Sequence, residues 1–156
     1  MEQPKVVHST FTLERKFPKP PEVVFSAFSD PVKLRRWFAE SPLNGIEKFK
    51  ADFKVGGEQF LSYRMTAGPV AGMLIENQSH YHAIVPNERI VEAATMSIEG
   101  RCISCSQVTF ELIPTPEGTD LICTHQGVFF EGSGGPELRE QGWRTLMDKL
   151  AAELAS

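Results

Sequence analysis

The end of the chain poses the problem that the rest must solve. Trp143, Leu146, Met147, Leu150 and Leu154 recur at three- and four-residue spacing, while Glu140, Arg144, Asp148, Lys149 and Glu153 fill positions between them. This is one apolar stripe on an otherwise polar helix. Gly132-Ser133-Gly134-Gly135-Pro136 reads as the loop that opens it. A helix of about 18 residues rises ~27 Å, enough to lie across a sheet of several strands. A stripe of that length has to be covered, and the segment before it supplies the cover.

From about residue 46 to 130 the chain reads as strands broken by turns. Glu58 to Thr66, Val70 to Val85, Arg89 to Met96, Cys102 to Ile113 and Thr119 to Phe130 are the extended stretches. Gly68-Pro69, Pro86-Asn87 and Pro114-Thr115-Pro116-Glu117-Gly118 interrupt them. Alternation is clearest in the last pair. Val108, Phe110 and Leu112 share one face, and Leu121, Cys123 and His125 share one face of the neighbouring strand. Ahead of this run, His8 to Arg15 alternates as a first strand. Val24, Phe25 and Phe28 then mark a short helix, and Asp30-Pro31 starts a second with Leu34, Trp37 and Phe38 on one side. The order is therefore strand, two short helices, antiparallel strands, long helix. The expected fold is α+β, a single domain over residues 1–156, with a curved antiparallel sheet wrapped around the C-terminal helix and an apolar pocket between them.

The same stretches carry a resemblance. Pro20-Pro21-Glu22-Val23-Val24-Phe25, Ser29-Asp30-Pro31, Leu34-Arg35-Arg36-Trp37 and Val55-Gly56-Gly57-Glu58-Gln59-Phe60 come first. Gly72, Pro86-Asn87-Glu88-Arg89-Ile90-Val91, Val108-Thr109-Phe110-Glu111-Leu112, Gly118-Thr119-Asp120-Leu121 and Gly142-Trp143 follow. In this order the chain resembles the activator of heat-shock ATPase homologue-like branch of the SRPBCC superfamily, whose fold is the START-like helix grip of the birch-pollen allergen. The resemblance implies a cavity between sheet and helix. The superfamily puts that cavity to many uses, from lipid carriage to polyketide cyclisation and chaperone activation, so the fold does not name the activity. It also makes a homodimer a candidate assembly.

Charge and composition narrow the partners. Net charge is -4, without the basic excess of a nucleic-acid binder. No apolar run is long enough for a bilayer, and Met1-Glu2-Gln3-Pro4-Lys5 is followed by no apolar signal core, so a cytoplasmic protein is expected. The three cysteines cannot all pair, which fits reduced thiols. Cys102 and Cys105, three apart on a strand, are expected on opposite faces and in a structural role. His80 and His82 share a strand face without a third ligand at metal spacing, so neither metal nor cofactor is expected.

Trp37, Phe38, Phe60, Tyr81, Phe110, Trp143 and Met147 are the expected walls of a pocket for a small, mostly hydrophobic ligand. His125 and Tyr81 are its expected polar anchors. Of Tyr63 and Arg64, one points inward, and the sequence leaves the choice open because Phe60 and Leu61 compete for the inner face. Three functions follow. The first is binding of an apolar molecule. The second is a cyclase or dehydratase with His125 as acid or base. The third is a chaperone-activator-like interaction module.

Overall fold

The structure is a computed structural model and describes residues 5–156. Most of the N-terminal stretch used for the export reading, Met1 to Pro4, therefore lies outside the described residues. Strand β1 (Val7–Phe17) is followed by α1 (Pro21–Ser29), α2 (Pro31–Leu34) and a π-helical turn, Arg35–Ala39. Strands β2 (Asn44–Ala51), β3 (Glu58–Met65), β4 (Leu74–Val85), β5 (Arg89–Ile98), β6 (Arg101–Thr115) and β7 (Gly118–Phe129) come next. The chain ends in α3 (Pro136–Ala155). All seven strands form one antiparallel sheet in the order β1-β7-β6-β5-β4-β3-β2. Each strand after β2 lies beside its predecessor, so short turns suffice. Only β1 needs its place secured from outside, by pairing with β7 from Val7↔Phe129 to Phe17↔Thr119. This is the helix-grip architecture. Among the described residues no helix is long and apolar enough to cross a membrane.

The N-terminal helices form for local reasons. Pro21 and Pro31 each sit at the first turn, where a missing N–H costs no hydrogen bond. The Asp30 carboxylate accepts from the Val32 N–H at 2.9 Å and caps α2. The chain then widens into the π turn that carries Trp37 and Phe38. Trp37 is held there by its indole N–H, which donates to the Ala27 carbonyl at 2.8 Å.

The core lies between the concave face of the sheet and the stripe of α3. Trp143, Met147, Leu150 and Leu154 of α3 are buried, Met147 and Leu150 completely. Opposite them stand Phe11, Leu13 and Phe17 of β1, Leu121 and Cys123 of β7, and Val108, Phe110 and Leu112 of β6, with Val24, Phe25 and Phe28 of α1 closing one end. Leu146 is only partly buried at the stripe's margin. The alternation read in β6 and β7 holds, since Val108, Phe110, Leu112, Leu121, Cys123 and His125 all face inward.

Three irregularities break simple parity, the first in β2, where the pairing steps from Ile46↔Tyr63 to Lys48↔Ser62. At His82 the pairing steps from Tyr81↔Glu92 to Ala83↔Val91. At Ile103 it steps from Ser97↔Cys102 to Met96↔Ser104, leaving one extra residue in β6. Ile103 and Ser104 are consequently both buried, and Cys102 and Cys105 fall on the same side with thiols 3.9 Å apart. The expectation of opposite faces was wrong, because a bulge between the two cysteines shifts the alternation by one.

The clamp of α3 onto the sheet should be the main source of stability. Replacing the fully buried Leu150 by Ala is expected to cost about 2–5 kcal/mol in urea unfolding, from lost burial and the cavity left behind. A change below about 1 kcal/mol would mean that α3 is not seated on the sheet as described.

Candidate functional site

Beside Trp143, the aromatic packing between sheet and helices does not close completely. A space of about 10 Å³, room for about one water molecule, is left among side chains from all three layers. Phe28, Leu34, Trp37 and Phe38 come from the N-terminal helices. Phe53, Gln59, Tyr81, Ile90, Glu92 and Phe110 come from the sheet side, and Trp143 from α3. The rings hold one another edge-on or tilted. Phe28 to Trp37 is 5.2 Å between centroids, Phe28 to Phe110 4.8 Å, Phe53 to Tyr81 5.0 Å and Phe110 to Trp143 5.8 Å. A larger depression of about 440 Å³, bordered by His8, Thr10, Gln107 and Gln126, opens broadly to solvent. It contains no buried charged group.

Two polar features distinguish the inner space from ordinary core. The Tyr81 hydroxyl donates to Gln59 Oε1 at 2.7 Å, a buried pair that fixes both side chains inward. Burial, and then the nearby Glu92 and Asp52 charges, push the Tyr81 hydroxyl well above its ordinary pKa. It is therefore a neutral hydrogen-bonding group. Glu92 lies beside Tyr81 in the strand register and is 6% exposed. Its carboxyl makes no hydrogen bond or ion pair with any described residue. Burial alone pushes its pKa up to about 7. A carboxyl that changes charge near neutrality inside an aromatic enclosure can donate a proton, accept one, or hold a donor group of a ligand.

Of the residues expected at a pocket, Trp37, Phe38, Tyr81, Phe110 and Trp143 border this space together. Phe60, Met147 and His125 do not. Phe60 is on the outer face, with the Lys48 ammonium 5.6 Å above its ring. The Tyr81–Gln59 bond settles the parity of β3: Gln59, Leu61 and Tyr63 point inward, Phe60 and Arg64 outward. Arg64 accordingly donates to Glu47 at 2.8 Å and to the Gly72 carbonyl at 2.7 Å. Met147 lies one turn of α3 beyond Trp143 and is spent on core packing. His125 does face inward, but its ring lies between Phe11, stacked at 4.8 Å, and Phe129 at 5.9 Å. Burial and then the Arg139 charge lower its pKa to about 4, so it is neutral at physiological pH. Its Nδ1 is buried without a hydrogen-bond partner. His80 and His82 are exposed, and among the described residues no three His, Cys, Asp or Glu gather as a metal site.

Glu92, Gln59 and Phe53 were not anticipated. The signal for Glu92 was present: two residues after the apolar Ile90 it has inward parity, so a charge was being placed on the inner face. Phe53 lies just beyond the end of β2, where no periodicity applies.

The buried carboxyl gives the protein a signed pH dependence. The folded protein keeps the Glu92 proton up to about pH 7, whereas the unfolded chain releases it near 4.5. The associated stability is complete below pH 4.5 and is lost as pH rises through about 7. His125 acts oppositely, supplying stability above pH 6.5 that is lost as pH falls through about 4. Comparison with Glu92→Gln isolates the carboxyl. Relative to that variant, the natural protein should lose on the order of 3 kcal/mol between pH 4.5 and 7.5 in urea unfolding. A difference independent of pH would show that Glu92 is solvated.

Comparison with known proteins agrees with this architecture. Residues 18–155 match the family model described as Activator of Hsp90 ATPase homolog 1-like protein. A solved protein of Rhizobium leguminosarum is 32% identical, with a TM-score of 0.87 over 96% of both chains. One from Rhizobium loti is 38% identical, with a TM-score of 0.83 over 95% of this chain and 98% of that one. An AHSA1-like protein of Aeromonas hydrophila shares the fold at 18% identity, with a TM-score of 0.68 over 94% of this chain and 92% of that one. No curated protein matches. With the family model covering nearly the whole helix-grip domain, the chain belongs to the Activator of Hsp90 ATPase homolog 1-like family of the SRPBCC superfamily.

Proposed function

We propose that the protein binds a small, mostly hydrophobic molecule between the sheet and α3, in the cytoplasm. In this reading Glu92 and Tyr81 orient the ligand and His125 does not. The observation that carries it is the Glu92 carboxyl, placed without a protein partner against an incompletely filled aromatic enclosure. Leaving such a group unpaired is costly, and a ligand donor would relieve that cost. Affinity would come from burial of apolar area, at about 25 cal/mol per Å².

A ligand larger than water needs more than 10 Å³, and the wall that can yield is the π turn. Trp37 is pinned to the Ala27 carbonyl, whereas Phe38 is only partly buried and packs against Trp143 at the longer centroid distance of 6.5 Å. π turns carry a hydrogen-bond pattern that is out of step with the surrounding helix, which suits a segment that rearranges.

One observation favours a second reading, an enzyme of the cyclase or dehydratase kind. A carboxyl titrating near pH 7 can pass a proton in either direction under physiological conditions. Glu92, not the neutral and ring-stacked His125, would then be the acid or base. The third reading, a chaperone-activator-like surface, has no comparable observation in its favour.

The neutral fluorophore N-phenyl-1-naphthylamine tests the binding reading. It is expected to bind saturably at one site and to shift the indole N–H resonances of Trp37 and Trp143. The ring resonances of Phe60 on the outer face should stay in place. Absence of binding at high protein concentration, or shifts confined to the outer face, would contradict it.

A further inference from the structure

The concave face continues past Glu92 into a region with a different chemistry. Across β4, β5, β6 and β7 the next inward row is Ser79, Ala94, Ser106 and Gly127, all small, in direct register. Ala94 and Ser106 are half-buried, whereas the rings of His125 and Phe129 stand over Gly127. His125 borders this row. A Cβ on Gly127 would come within 2.8 Å of His125 Cε1, which places the edge of the imidazole over the glycine. The Nδ1 attached to that carbon is buried without a partner, on a side chain that is 1% exposed.

Beyond the small row stands a cation. Arg139, in the opening turns of α3, donates to Ser104 Oγ at 2.7 Å, contacts Met96 Sδ at 3.1 Å and lies over the Phe129 ring at 5.3 Å. No carboxylate among the described residues forms an ion pair with it. The charge is also near the N-terminal, positive end of its helix, where a cation is disfavoured. Burial lowers the Arg139 pKa, and the nearby Tyr63 hydroxyl only partly offsets this. A desolvated guanidinium with spare N–H donors, an adverse helix end and no counter-charge is a receptor for an anion.

Met96 and Glu92 are four residues apart on β5, so the two poles are separated by ~13 Å along the strand. We propose that Arg139 receives the carboxylate of an elongated, otherwise apolar ligand. Its chain crosses the floor of Ser79, Ala94 and Ser106, past the His125 edge, towards the aromatic enclosure. The proposal rests on the binding reading above and adds the class of ligand: an organic acid, not a neutral hydrocarbon or an amine.

Octanoate and 1-octanol, which differ in the head group, provide the test by displacing N-phenyl-1-naphthylamine. Octanoate should displace it at a concentration at least tenfold below that of octanol. Arg139→Gln should bring the two within twofold without changing octanol, and Arg139→Lys should restore part of the preference. In parallel, octanoate should shift the Arg139 Nε–H resonance of the unlabelled-by-dye protein. Thermal unfolding confirms that each variant is folded. Equal displacement by acid and alcohol in the natural protein, or a preference that survives Arg139→Gln, would overturn the anion site and leave the apolar pocket standing. Failure of the fluorophore to bind, with the Arg139 resonance still moved by octanoate, would remove the pocket reading and keep the anion site. An Arg139 resonance that octanoate leaves unmoved would overturn the anion site in either case.

Discussion

The structure depends on burying one helical stripe against one face of a sheet. Met147 and Leu150 of α3 are inaccessible to solvent, and their cover comes from β1, β7 and β6 together with α1. That requirement fixes the rest. It demands that β1 return to pair with β7 across the whole length of the chain, and that the helices between β1 and β2 close the end of the sheet. It also leaves a remainder. A straight helix over a curved sheet meets it along one line, and the sheet away from that line must be filled by other means or left open.

The filling differs on the two sides of the small row. On one side aromatic rings from every layer converge until only water-sized space remains, with Glu92 and the Tyr81–Gln59 pair facing it. On the other side the floor is made of small residues, and the cover is Arg139 together with the rings of Phe129 and His125. Among the described residues, His125 Nδ1 is buried without a hydrogen-bond partner, the Glu92 carboxyl is buried without an ion pair, and Arg139, half-buried and bonded to Ser104, has no counter-charge. Each works against stability. Their presence on one face of one sheet is the physical reason for placing function there, and neither the outer face nor the thiol pair has a comparable feature.

Much of this is legible in the sequence. The helix stripe and the alternation in β6 and β7 sufficed for the architecture, because both patterns report burial on one side only. Five of the aromatic and tyrosine positions expected at a pocket do converge. Parity failed where the chain adds a residue: the bulge at Ile103 brought Cys102 and Cys105 together. It was undecidable at Phe60 and Leu61, since both are apolar, and was settled by a hydrogen bond between distant residues, Tyr81 and Gln59. Glu92 was hidden because a charged residue is read as solvent-facing by default, even at an inward position. Arg139 was hidden because its partner was absent; a missing counter-charge is visible only when every neighbour is known.

Function on this face depends on Glu92 being a carboxyl enclosed by rings. Carbon-13-detected titration of its side-chain carboxyl by NMR tests that most directly. A midpoint near pH 7 is the result the structure requires. A midpoint near 4.5, the ordinary value for glutamate, would mean that water reaches the group freely and that the aromatic enclosure does not exist in solution.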